Sequence, residues 1–229
     1  MRRTFKLHRA LAILSCVPRR FFFSIFWVSA VIPTAIFAHP HVFVETSIRL
    51  VLDGTTEVVG VEVSWSYDEF YSMLTFEDMG LDRDYDGQLT LEELKRLDGF
   101  DLRWVEGFSG DVFLQRGAEN LALGTPEGRG VVVQGARIIS THYRPLNEPI
   151  SADGLRLKAY DPTYYTYYEL NHNIDAGNHC NADIVVADLK AAQSVLEERL
   201  SVIPITAVET DFPEIGEVFA DTALIQCSS

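Results

Sequence analysis

Two runs of alternating residues flank a turn signal near the start of the chain, and they constrain the fold more than anything else in it. Val42, Val44, Ile48, Leu50 and Leu52 fall on one face. His39, His41, Glu45, Ser47 and Arg49 fall on the other, with Phe43 among them. After Asp53-Gly54 the pattern resumes through Val59, Val61, Val63, Trp65 and Tyr67. A period of two describes a strand with one buried face, and Asp-Gly suits a tight turn. The stretch therefore predicts a β-hairpin. His39 and His41 sit on its non-core side, where they can act together without disturbing the core.

Beyond Tyr67 the period changes. Asp68 is a helix cap, and a helical segment runs to about Phe76. An acidic loop and a second short helix follow, ending near Asp98-Gly99. Strand text returns in DVFLQ, LALGT, VVVQGARIISTHY and GLRLKAY, and later in ADIVVAD. LKAAQSVLEERL carries Leu189, Ala192, Val195, Leu196 and Leu200 at helical spacing, and FADTALIQC reads as a last strand. The expected class is α+β: an antiparallel, β-rich single domain at 39–229. It carries an inserted EF-hand-like helix-loop-helix at about 68–98 and a C-terminal amphipathic helix.

The first 38 residues differ from the rest. They hold Arg2, Arg3, Lys6, Arg9, Arg19 and Arg20 but no acid, and Phe21 to Ala38 is almost wholly apolar. A basic start, an apolar core and a small final residue make a secretory signal peptide, cleaved near Ala38 to release a periplasmic protein. The alternative is an uncleaved membrane anchor, although Pro33 interrupts the run. The whole chain has 19 basic and 33 acidic residues. Six of the basic ones leave with the leader, so the mature net charge is near −20. Such a chain does not seek nucleic acid, whose phosphates need Lys and Arg; it suits cations. Cys16 also leaves with the leader. Cys180 and Cys227 then form the one intramolecular pair in an oxidising compartment, the alternative being two free buried thiols.

Residues 82–93, DRDYDGQLTLEE, carry oxygen ligands at fixed intervals. Asp82, Asp84 and Asp86 occupy loop positions one, three and five, and Gly87 takes the sharp turn at six. Gln88 offers a backbone carbonyl at seven, Thr90 stands at nine and Glu93 closes the loop at twelve. These are the diagnostic positions of an EF-hand Ca²⁺ loop; the competing reading is a solvated acidic turn. Gly80 breaks the entering helix just before the loop, and there is no second loop, so the ion would be structural.

Two groups of histidines are candidate transition-metal ligands. If cleavage follows Ala38, His39 gains a free α-amine, and His41 adds an imidazole. Pro40 has no N–H, which blocks the binding mode that uses deprotonated amides. Imidazole ligation allows Ni²⁺, Co²⁺, Zn²⁺ or Cu²⁺. His172, Asp175 and His179 form the second group, in what reads as a polar loop, NHNIDAGNHC. His142 is a weaker candidate. DPTYYTYYEL at 161–170 holds four tyrosines in five positions. They form either the edge of a β core or a wall for a sugar. No nucleophile–base arrangement, phosphate loop or dinucleotide fingerprint stands out, so a non-enzyme is expected.

The AHPHVFVE start, VSWSYDEFYS, DRDYDGQLTLEEL, YDPTYY and the cysteine near the C-terminus are spread across nearly the whole mature chain. In these the sequence resembles a family of bacterial exported proteins catalogued as a domain of unknown function. That family is also labelled the periplasmic component of an uncharacterised ABC-type transport system. Its members often accompany nickel/cobalt-type transporters. The resemblance thus implies a metal-binding accessory of a membrane transporter. It supplies no catalytic residue. The other readings are a calcium-stabilised adaptor and a carbohydrate or small-ligand binder.

Overall fold

The alternating stretch is a hairpin in the computed structural model, which describes residues 40–54, 57–208 and 210–228. Strands β1 (Val42–Leu52) and β2 (Glu57–Tyr67) pair antiparallel, with Val44 opposite Tyr67 and Ile48 opposite Val63. The core face of β2 changes register at a bulge near Gly60, so Val58 is buried and Val59 only half-buried. Gly60 is required there. A Cβ would meet the Arg144 carbonyl and the Tyr143 ring at 2.5 Å. The leader at 1–38, its cleavage site and His39 lie outside the described residues. Among the described residues no helix is long and apolar enough to cross a membrane.

Two helices interrupt the sheets after β2: α1 (Glu69–Met79) and α2 (Leu91–Leu97). The remaining strands are β3 (Val112–Arg116), β4 (Glu119–Leu121), β5 (Glu127–Gln134), β6 (Arg137–Ser151), β7 (Leu155–Ala159), β8 (Thr166–Asp175) and β9 (Cys180–Val185). Helix α3 (Leu189–Leu200), a 3₁₀ turn (Ile205–Ala207), the short α4 (Gly216–Phe219) and strand β10 (Thr222–Cys227) complete the chain. One sheet has the order β5-β6-β2-β1-β8 and the other β4-β3-β7-β10-β9. Val44, Ile48 and Val63 of the first share one core cluster with Leu114, Leu157, Ala223 and Ile225 of the second. The fold is therefore mixed α/β and mostly sheet.

Three expectations need correction. The sheets are not wholly antiparallel, because β1 and β8 run parallel, with Val42 opposite Thr166 and Arg49 opposite Asp175. The apolar stripe of the amphipathic helix α3 is narrower than its spacing suggested, and the last strand expected after it, β10, lies between β7 and β9 of the second sheet. Helix α3 buries Ala192, Leu196 and Leu200 against Ile215 and Phe219 in a cluster of their own, while Leu189 and Val195 stay exposed. Third, NHNIDAGNHC is not all loop. Strand β8 runs on through Asp175, because after an irregularity Ile174 and Asp175 pair again with Ile48 and Arg49 of β1.

Candidate functional site

Asp68 starts the insertion twice over. One carboxylate oxygen accepts from the Tyr71 amide and caps α1, and the other accepts from the Phe43 amide of β1. The helix is thereby tied to the start of β1 at its first turn. It ends at Gly80 in the left-handed conformation, whose amide returns to the Glu77 and Phe76 carbonyls. Leu81 is then buried in the core. Thr90 caps α2 in a capping box with Glu93. Leu97 is fully buried and Leu89 packs against the core, so both ends of the insertion are anchored. Arg96 reaches from α2 to the Met79 carbonyl at the end of α1.

Between those anchors the three aspartates converge. Carboxylate oxygens of Asp82, Asp84 and Asp86 lie within 4.8 Å of one another. Asp82 accepts from the amides of Asp86 (3.0 Å) and Gly87 (3.2 Å), which folds the loop around its first residue. Gly87 takes φ +75°, and Tyr85, at loop position four, takes +56°. Glu93 does not join the triad. One of its oxygens accepts from the Asp82 amide at 3.1 Å, and the other accepts from the Thr90 amide and hydroxyl. These bonds, with those from Thr90 foremost, hold its carboxyl below the usual carboxylate range. Gln88 gives its amide to Asp86 at 2.8 Å. A cavity of about 500 Å³ lies beside the loop, between Met73 and Phe76 of α1 and Tyr85.

The histidines are dispersed. His41 is exposed at the start of β1. Its amide donates to the Tyr165 carbonyl, and its ring lies on Tyr165 at 4.7 Å. Asp175 stands at the far end of β8, opposite Arg49, and His179 follows in the turn to β9. About ten residues of strand at roughly 3.3 Å each separate the two ends by some 30 Å. His41 and the Asp175–His179 group therefore cannot share one ion. His172 lies on β8 between them. The carbonyl of His179 accepts from Ser228, beside the Cys180–Cys227 disulfide, whose cysteines face each other across the β9–β10 ladder.

The tyrosines divide among three environments, Tyr164 and Tyr167 sharing one. Tyr164 stacks on Phe219 at 4.0 Å and meets Tyr167 edge-on at 6.4 Å, Tyr167 also meets the exposed Phe43 edge-on, Tyr165 packs on His41, and Tyr168 is buried. They do not form one continuous wall.

A group that sequence reasoning did not assemble lies in the interior. On the core-facing side of β6, Ser140, His142 and Arg144 alternate with outward residues, and all three are buried. The segment after α2 covers them. Asp101 accepts from the hydroxyls of Tyr67 and Ser140, and burial raises its carboxyl above the usual value. The Trp104 ring packs against Arg144 at 4.9 Å and His142 at 5.9 Å. Trp65 meets His142 from another side at 4.6 Å. Neither ring nitrogen of His142 has a hydrogen-bond partner among the described residues. Burial first, and the Arg144 charge second, lower its pKa to about 4. Asp111 accepts from the Tyr168 hydroxyl with one oxygen and has no partner for the other among the described residues. Burial pushes it up to about 7. The only sequence signal for this group was polar residues at core positions of a strand, in IISTHYR.

A family model described as Protein of unknown function (DUF1007) matches residues 24–227. None of the curated proteins matches the chain.

Proposed function

The chain belongs to that family of unknown function, and from this premise we propose that it is an exported, non-catalytic metal-binding accessory of a transition-metal transport system, held rigid by a structural calcium ion. The observation that carries the calcium part is the convergence of the Asp82, Asp84 and Asp86 carboxylates within 4.8 Å around a left-handed Gly87. Three hard, anionic oxygens at that spacing repel one another unless a cation lies among them, and oxygen-only ligands suit Ca²⁺. Asp82, Asp84, Asp86, the Gln88 carbonyl, Thr90 and Glu93 would hold it. A single loop whose Leu89 backs onto the core, rather than onto a second loop, fits a clamp better than a sensor.

The cargo part rests on the resemblance and on His39-Pro40-His41, which would take Ni²⁺, Co²⁺ or Zn²⁺ next to a membrane transporter in the periplasm. His172, Asp175 and His179 supply a second, separate candidate group. The strand-length gap between His41 and Asp175, and the packing of His41 on Tyr165, favour a second reading. In that reading the protein is a calcium-stabilised adaptor, and the exposed ring pairs beside His41 contact a partner. Calorimetric titration of chelator-treated protein tests both readings. The first expects one Ca²⁺ site lost in Asp86→Asn and one Ni²⁺, Co²⁺ or Zn²⁺ site lost in His41→Ala. Calcium binding alone leaves the adaptor, and binding of neither ion refutes the proposal.

A further inference from the structure

Helix α1 has apolar residues on two opposite faces. Its inner face buries Phe76, and also Ser72, whose hydroxyl accepts from the Ile138 amide of β6. Its outer face carries Phe70, Met73 and Leu74, which are 63 %, 52 % and 40 % exposed. Positions i, i+3 and i+4 lie together on a helix, so the three form one stripe. A helix that is apolar all round is ordinarily covered all round; this one is covered on one side. Scattered exposed apolar residues need no explanation, whereas a contiguous stripe marks a surface that a partner covers.

Beside the stripe, α1 and the acidic loop leave an open cleft of about 500 Å³. Met73 belongs to both stripe and cleft, and Phe76, Leu81 and the 90 % exposed Tyr85 also line it. The charge around this surface is chiefly negative. Glu69, Glu77 and Asp78 are exposed on α1, which has no basic residue, and the three aspartates of the loop follow. The guanidiniums at this end of the insertion turn to the end of α1: Arg83 donates to the Gly80 carbonyl at 3.3 Å and Arg96 to the Met79 carbonyl. A partner that fits must bring both apolar side chains and positive charge. The sign disfavours a second copy of this acidic chain and an anionic lipid surface, each of which it repels.

We propose that the outer face of α1, with the cleft beside it, is a docking groove for a basic amphipathic helix of a partner protein. The partner's apolar residues at i, i+3, i+4 and i+7 would seat on Phe70, Met73 and Leu74, and its lysines or arginines would face Glu77, Asp78 and the loop. Helix-in-groove recognition pairs stripes of this kind, and an unbranched methionine adapts to the side chains it meets. The eleven residues of α1 span about 16 Å, the length of about three turns of a partner helix. This surface is separate from the rings beside His41 and needs no transition metal. Glu69, Glu77 and Asp78 lie outside the calcium ligand set, so their charge remains whether or not the loop holds an ion.

The probe is a fluorescein-labelled peptide of leucine and lysine about 14 residues long, with leucine at i, i+3, i+4 and i+7 spacing. Its counterpart with glutamate in place of lysine is the comparison. Each is titrated with the purified protein by fluorescence anisotropy at about 0.15 M salt, in chelator and again in excess Ca²⁺. The expected result is saturable one-to-one binding of the basic peptide in at least one buffer, and none of the acidic one. Phe70→Ser with Met73→Ser leaves every charge in place and changes only exposed positions. It should weaken binding at least about tenfold with unchanged circular dichroism. Glu77→Gln with Asp78→Asn should weaken binding and reduce its salt dependence. No saturation in either buffer, equal binding of the acidic peptide, or unchanged affinity in either double variant would each overturn the proposal. So would self-association, or adsorption to phosphatidylglycerol vesicles, that Phe70→Ser with Met73→Ser abolishes, since either gives the face another occupant.

Discussion

Replacing Asp111 with asparagine should tilt the pH–stability profile upward relative to wild type, because two buried groups now titrate in opposition. Burial chiefly raises Asp111 from 3.8 to about 7, with Asp161 adding to the effect and the Tyr168 hydrogen bond and Arg144 opposing it. Its contribution to stability is fully present below about pH 3.8 and is lost as pH rises to about 7. His142 is lowered from 6.5 to about 4. Its contribution is fully present above about pH 6.5 and is lost as pH falls to about 4. Across the shared window the unfolded chain carries a proton on the histidine and the native one carries it on the aspartate. The two proton counts match, so the pair adds almost no slope. At about 1.4 kcal/mol per pH unit, the separate spans correspond to about 4 kcal/mol for Asp111 and about 3 kcal/mol for His142. In Asp111→Asn, where the amide oxygen can still accept from Tyr168, only the histidine remains. Stability should then rise relative to wild type by about 2–3 kcal/mol between about pH 4.5 and about pH 6.5. In His142→Phe, which removes two ring nitrogens that have no partner among the described residues, stability should fall by a similar amount over the same range. Urea unfolding followed by tryptophan fluorescence gives both numbers as differences from wild type, so the other carboxylates cancel. Profiles of both variants that run parallel to wild type would refute the opposed titration.

Other consequences follow from the aspartate loop, the disulfide and one glycine. With an affinity in the extracellular range, about 10 mM Ca²⁺ should stabilise the protein by about 1.5–2.5 kcal/mol and raise Tm by several degrees; Glu93→Gln should remove that dependence, and a Ca²⁺-insensitive wild-type Tm excludes the clamp. The Cys180–Cys227 bridge spans 47 residues, and in the chain-entropy treatment a closed loop of that length stabilises by about 4 kcal/mol. A Cys180→Ala, Cys227→Ala variant whose urea midpoint stays at the wild-type value contradicts this. Gly216 has no room for a methyl group, since a Cβ would sit 1.7 Å from the Asp161 carbonyl oxygen. Gly216→Ala should therefore cost about 1–3 kcal/mol in thermal unfolding, and a neutral result means that the Asp161–Tyr164 turn yields freely.

Local physics made some elements legible and hid others. The β1–β2 hairpin, the Asp68 cap and the helix over Leu189–Leu200 each depend on residues within a few positions of one another, and each is where the sequence indicated. The parallel β1–β8 pair joins residues more than a hundred positions apart. The polar NHNID text gave no sign that β1 would hold it as a strand. The tyrosines of 164–168 are adjacent in sequence but not in structure: Tyr164, left-handed at φ +58°, and Tyr165 precede β8, and only Tyr167 and Tyr168 lie on the strand. The metal-ligand pattern of 82–93 was visible because its spacing is its signature. His142, Arg144 and Asp111 were not, because polar residues on an inner strand face acquire meaning only when the covering segment is known.

That covering segment links the two sites. Helix α2 and the stretch after it carry Asp101 onto Tyr67 and Ser140, and Trp104 onto His142 and Arg144. Residues 82–93 lie immediately upstream on the same insertion, and its ends are fixed by Asp68 on β1 and by Leu97 in the core. A run of three aspartates stores electrostatic repulsion that favours an open loop, and loop opening would loosen the helix that delivers Asp101 and Trp104. Buried polar groups are tolerable only while such a cover excludes water and keeps their partners in place. The acidic loop and the polar core are therefore mechanically coupled through α2. A cation at 82–93 removes the repulsion that works against closure of the insertion over β6. The polar face of β6 in turn gives Asp101 and Trp104 specific places to seat, which an apolar face would not.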